Sequence, residues 1–158
     1  MTKQFNHEPK GYQCPFCAII AGHYDDRGTK EDIVYQNEFA TAKIAPKWWV
    51  NNPGHVLVIP NEHYENIYDI PADLLAEVYK VVQKVAIAIR STYGCEGTST
   101  RQHNEPAGNQ DVWHFHVHVY PRHGDDQLYQ NHDRKRFVDA AARAPYAKKL
   151  RAYFAEHK

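Results

Sequence analysis

The 158-residue chain has no apolar run near the roughly 20 residues that a membrane span requires, and no apolar core follows its first residues as a secretory signal would need. Membrane insertion and export are not expected, and the chain reads as soluble and cytoplasmic. Net charge is missing too. Nineteen Lys and Arg balance nineteen Asp and Glu without a block of either sign, which argues against nucleic-acid and membrane partners. Cysteine is scarce, and three thiols are too few and odd in number for a disulfide framework, so they are read as reduced. With no internal repeat or low-complexity tract either, one ordinary domain with a single core is expected.

What the chain has in excess is histidine, eleven residues in all, three of which alternate at His114, His116 and His118. Residues 1–13 are polar, carry Pro9 and Gly11, and read as a loose lead-in to a domain over 14–124. An extension over 125–158 is expected to pack on the same domain. Short strands are expected at 33–35, 39–44 and 55–59, with a loop at 46–54 rich in Pro, Asn and Gly. From Pro71, the residues Leu74, Leu75, Val78, Val81, Val82, Val85 and Ile89 recur at helical spacing up to Gly94. A strand over 97–102, a loop over 103–111 and an alternating strand over 112–120 follow. A helix at 145–154 gathers Tyr146, Leu150, Tyr153 and Phe154 on one face. Paired strands that outnumber helices give a mainly antiparallel α+β class.

In the strand over 112–120 the pleat sends the three imidazoles to one face, spaced roughly 6.6 Å apart, and Trp113, Phe115, Val117 and Val119 to the other. Two chemistries suit such a face. Neighbouring histidines can chelate a catalytic metal, or one can attack phosphorus while the others supply protons and hydrogen bonds. The preceding loop, 104–110, is rich in small and amide residues that can face an anion. Cys14 and Cys17 have the spacing of a zinc-binding pair, though two buried small hydrophobes would look the same. His103 adjoins the amide-rich loop, Cys95 reads as a packing residue, and Trp48 and Trp49 suit either a base-stacking platform or a core or dimer contact.

The run His114-Phe-His116-Val-His118-Val-Tyr120 with Pro121-Arg122 resembles the signature of the histidine triad family. The likeness extends through Cys14-Pro-Phe-Cys17, Pro53-Gly54-His55 to Pro60, and 104–122. It implies a half-barrel antiparallel sheet with one long helix, a homodimer, and hydrolysis or transfer at the α-phosphate of nucleoside phosphoramidates, acyl or sulfo nucleotides or dinucleoside polyphosphates. His116 would be the nucleophile, forming a covalent nucleotidyl-histidine. His118 and His55 would hold phosphoryl oxygens or pass a proton. His118, which replaces the Gln of related uridylyltransferases, favours hydrolysis.

The resemblance also implies a structural zinc on Cys14, Cys17, His63 and His114, and no organic cofactor. On the substrate side, Asn104 takes the family's amide position, and Gln110 and Asp111 fall in the phosphate loop. Lys43 stands where many members carry the acidic residue that binds the ribose hydroxyls. A lysine has no acceptor for a diol and would instead attract an anion, unless it pairs with Asp111. Two other readings stay open: a hydrolase whose catalytic zinc sits on His114, His116 and His118, and a nucleotide-binding protein without turnover.

Overall fold

The apolar spacing after Pro71 folds as the long helix of the molecule, Ala72–Thr92, and its inward face buries Val78, Val81, Val82, Val85, Ala88 and Ile89. The computed structural model describes residues 5–157. In chain order the helices are α1 (Pro15–Ile20), α2 (Ala72–Thr92) and α3 (Ala140–Glu156). The strands are β1 (Ile33–Gln36), β2 (Ala40–Ile44), β3 (Lys47–Trp48), β4 (Val56–Pro60), β5 (Gly97–Gln102), β6 (Val117–Arg122) and β7 (Arg136–Phe137).

Five strands make one antiparallel sheet in the order β1-β2-β4-β6-β5, and β3 pairs with β7 in a second, two-stranded sheet. The register explains why one face of the large sheet is a core and the other is chemical. Ala42 pairs with Val58 and Val58 with Val117, while Ile44 pairs with Val56 and Val56 with Val119. All six side chains are fully buried and belong to the core shared with α2. Burying such branched chains contributes about 1.5–3 kcal/mol each. One residue out of phase, Lys43, Leu57, His118 and Arg101 form a row across four strands on the opposite face.

The α+β class and the antiparallel sheet are as expected, and several boundaries differ. The strand expected at 112–120 begins only at Val117 and runs through Pro121 to Arg122. Before Val117 the backbone bonds elsewhere: the Phe115 amide donates to the Tyr64 carbonyl at 2.6 Å and the His114 amide to the Val112 carbonyl at 2.8 Å. His114 is therefore not held by the pleat, and its ring turns away from those of His116 and His118. The loop expected at 46–54 contributes β3, because Lys47 and Trp48 find Phe137 and Arg136 as partners from the C-terminal segment. Alternation over two residues is too short to read from sequence.

The last helix starts at Ala140 rather than Pro145, since the Asp139 carboxylate caps the Ala142 amide at 2.8 Å and sets the first turn ahead of the proline. Helix α1 carries too few residues to show a period. Cys14 is its N-cap, accepting from the Cys17 amide, and Pro15 occupies the first turn. Residues 5–13, read as a loose lead-in, are hydrogen-bonded where the structure describes them; residues 1–4 lie outside the described part. The His7 and Glu8 amides donate to the Glu65 carboxylate, and the Asn66 amide group donates to the Phe5 carbonyl. Gly54 has φ +81°, and a Cβ there would strike the ring of Tyr146 in α3, so the turn into His55 requires glycine.

Candidate active site and metal centre

A cavity of about 420 Å³ opens on the chemical face of the sheet. His116 and His118 line it from the start of β6, His55 from the turn before β4, and His103 from the loop after β5. The His116 Nδ1–H donates to the His114 carbonyl at 2.7 Å, which fixes the proton on Nδ1 and leaves the Nε2 lone pair free. The ring is clamped edge-on by Phe16, with centroids 5.1 Å apart. His118 Nδ1 lies 3.4 Å from His55 Nε2, and the His118 ring stacks parallel on Tyr120. His103 Nδ1 donates to the Gly108 carbonyl at 2.7 Å. Burial is the main reason that these imidazoles titrate low. It pushes His55 down to about 3, with the charges of Lys43, His116 and Lys135 adding to the effect. It also lowers His116, His118 and His103, so all four rings are neutral at pH 7.

Of the four residues expected at the substrate, Lys43 and Asp111 line the cavity, whereas Asn104 and Gln110 do not. The latter two brace the loop from behind. Asn104 Oδ1 accepts from the Ile67 amide at 2.8 Å, and Gln110 Nε2 donates to the Glu65 carbonyl at 2.6 Å. Amide side chains bury best where backbone groups need partners, and this position offers several. Lys43 and Asp111, whose pairing the sequence left open, do not pair with each other. Asp111 lies 3.8 Å from Lys135, and the Lys43 Nζ donates to the Arg27 carbonyl at 3.1 Å.

Sequence reasoning gave no role in the cavity to His132, Lys135, Phe137 and Arg27, which all line it. Asn109, an amide residue of the loop expected to face an anion, lines the cavity and adopts φ +68°, a conformation asparagine tolerates better than most residues. Trp49 lines the cavity and is buried edge-on against His55 and Tyr120, while Trp48 packs on Tyr146. The Cys95 thiol is buried in the core, as expected of a packing residue.

Beside the cavity, Cys14, Cys17, His63 and His114 bring one ligand atom each within 4.8 Å of all the others. Cys14 Sγ lies 3.3 Å from His114 Nδ1, and Cys17 Sγ lies 3.2 Å from His63 Nδ1. Both histidines use their outer nitrogen elsewhere. His63 Nε2 faces the Glu8 carboxylate at 2.9 Å, and His114 Nε2 donates to the Pro60 carbonyl at 3.0 Å. Two thiols and two inward Nδ1 atoms, each ring held by an outer acceptor, form a donor set suited to a closed tetrahedral zinc. With His114 committed here, the three strand histidines do not converge on one metal.

Residues 27–125 match the HIT domain family. The chain belongs to the histidine triad family. "Protein hit" of Bacillus subtilis is 37% identical to it over 111 residues, 70% of this chain and 72% of that protein. The adenosine 5′-monophosphoramidase of Schizosaccharomyces pombe is 30% identical over 113 residues, 72% of this chain and 77% of its own. A zinc-bound histidine triad protein of Mycobacterium smegmatis superposes with a TM-score of 0.75 at 28% identity, covering 92% of this chain and 95% of that one. Within this histidine triad protein, the matched segment contains His55, His103, His116 and His118 of the cavity, while His132, Lys135 and Phe137 come from beyond it.

Proposed function

We propose that this histidine triad protein hydrolyses nucleotide conjugates, nucleoside phosphoramidates or dinucleoside polyphosphates, at the α-phosphate through a nucleotidyl-His116 intermediate. The observation that carries the reading is the His116–His114 carbonyl bond, which presents a neutral imidazole with Nε2 free at the cavity wall. Nε2 attacks phosphorus, and the bond to the leaving group breaks as that group takes up a proton from solvent. Water then cleaves the phosphorus–nitrogen bond, giving the nucleoside monophosphate and free His116.

The hydrogen-bond network supports roles for His55 and His118. His55 Nδ1 is buried with no partner among the described residues, and a bare lone pair costs less there than a bare N–H. His55 Nε2–H then donates to His118 Nδ1, so His118 carries its proton on Nε2 and offers it to a phosphoryl oxygen. The relatives' names favour hydrolysis of nucleotides in this family, as the phosphoramidase of S. pombe illustrates.

A structural zinc on Cys14, Cys17, His63 and His114 belongs to the same reading, supported by the donor set and by the zinc-bound relative. Bound there, zinc supplies a crosslink between α1, the 60–63 turn and the segment that carries the triad. A homodimer is compatible with β5 lying at the sheet edge, and reduced thiols with a cytoplasmic location. The test is turnover of adenosine 5′-phosphoramidate. His116→Ala is expected to lower kcat by several powers of ten with the fold intact, while His118→Ala loses less. Wild-type protein that binds the nucleotide but never releases ammonia would instead establish a binding protein without turnover.

A further inference from the structure

We propose that the nucleotide taken by this cavity carries a second phosphate besides the reacting one, held at Lys43 with Arg27 and Lys47 beside it. The inference rests on the nucleotide reading above and names its substrate class. Lys43, Leu57 and His118 sit in one cross-strand row on the cavity face, so Lys43 stands two strand spacings, about 10 Å, from the phosphoryl-binding histidine. Its side chain is only 1% exposed. An ammonium has three N–H donors, and one goes to the Arg27 carbonyl at 3.1 Å. No carboxylate oxygen lies within 4 Å of Nζ among the described residues.

The buried carboxylate of Asp32 is taken up by Arg143, which grips it with two nitrogens at 2.9 Å each. The cavity's own carboxylates are otherwise engaged, since Asp25 accepts from the Arg27 amide and Asp111 faces Lys135. A buried ammonium that touches no carboxylate, with Asp32 and Asp25 acting on it only from a distance, is costly, and a ligand phosphate would supply the close partner that it lacks. Lysine suits phosphate as a point charge, and the neighbouring cations Arg27 and Lys47, both stacked on Phe137, extend the positive wall toward the cavity mouth.

Binding of adenosine 5′-monophosphate, adenosine 3′,5′-bisphosphate, adenosine 2′,5′-bisphosphate and ADP to the full chain tests this by calorimetry at pH 7. At least one doubly phosphorylated ligand should bind tenfold or more tightly than the monophosphate. Which one gains tells whether the second phosphate sits on the ribose or in the leaving chain. In Lys43→Met that gain should fall to threefold or less, and Tm should not drop, because an unpaired buried charge is removed. Equal affinity of all four ligands for wild-type protein overturns the proposal while leaving the nucleotide reading standing. Failure of all four to bind removes both. If Lys43→Met lowers Tm and weakens every ligand in step, Lys43 only anchors the 25–28 turn and the proposal is wrong.

Discussion

His116 and His118 stand two residues apart on the same segment, and what holds each Nδ1 separates their chemistry. A backbone carbonyl holds His116 Nδ1, which makes Nε2 basic and open, whereas His118 Nδ1 meets the Nε2 of a second histidine, an arrangement that on the proposed reading leaves the His118 Nε2 as a donor. Because burial lowers the His116 pKa below the usual imidazole value of 6.5, the nucleophile stays neutral as pH falls past that value and is lost only as pH drops through the lowered one. A profile of kcat/KM against pH should therefore be flat from pH 8 through 6.5 with its acid limb below. An acid limb centred above 6.5 would contradict the assignment. Lys135 tests the electrostatics of the loop. Its ammonium answers the Asp111 carboxylate at 3.8 Å and is partly exposed, so Lys135→Met should raise KM by about two- to fivefold. Asp111→Ser in the same chain should restore it, and a KM unchanged in Lys135→Met would show that the pair does not bear on binding.

Among the elements, α3 is the one whose attachment was hidden from sequence. Its weak amphipathic pattern names Leu150 and Tyr146, but the residue that fixes it is Arg143, fully buried and paired with Asp32 ahead of β1. The same guanidinium donates to the Val138 and Asp26 carbonyls. Burial alone would raise the Asp32 pKa, but the Arg143 hydrogen bonds and charge hold it below the ordinary carboxylate value. Its stabilising effect is thus present above the unfolded pKa and disappears as pH falls through the lowered folded one. Arg143→Met strands a buried carboxylate and should cost about 3–5 kcal/mol in chemical denaturation at pH 7, whereas a loss under 1 kcal/mol would mean that the pair is dispensable. The long helix α2 was legible because a seven-residue apolar set repeats at helical spacing. The buried ion pair was not, because an arginine and an aspartate more than a hundred residues apart carry no period.

For the whole molecule, the face that packs and the face that reacts are separated by a single-residue phase of the sheet. Period-two alternation revealed His116 and His118 in advance, and the Cys-x-x-Cys spacing with the family likeness named the metal cluster that the fold brings together. The departure of His114 from its neighbours was not legible, since it depends on the Tyr64 carbonyl capturing the Phe115 amide from fifty residues away. Nor was the cavity's outer wall, which Lys135 and Phe137 supply through the pairing of β7 with β3. If zinc ties α1 to the sheet, protein purified without added metal should contain close to one equivalent. Cys17→Ala should then lower Tm and release the metal; metal-free protein with an unchanged Tm would refute the site.

The proposed reaction passes through a covalent bond between phosphorus and His116. Intact-mass measurement of the full chain, quenched in alkali within the first turnovers of an adenosine phosphoramidate, tests it most directly, because a phosphorus–nitrogen adduct survives there. The expected result is a mass increase of one adenylyl group on wild-type protein, mapped by fragmentation to His116 and missing in His116→Ala. Steady turnover with no adduct on wild-type protein, or an adduct that persists in His116→Ala, would contradict it.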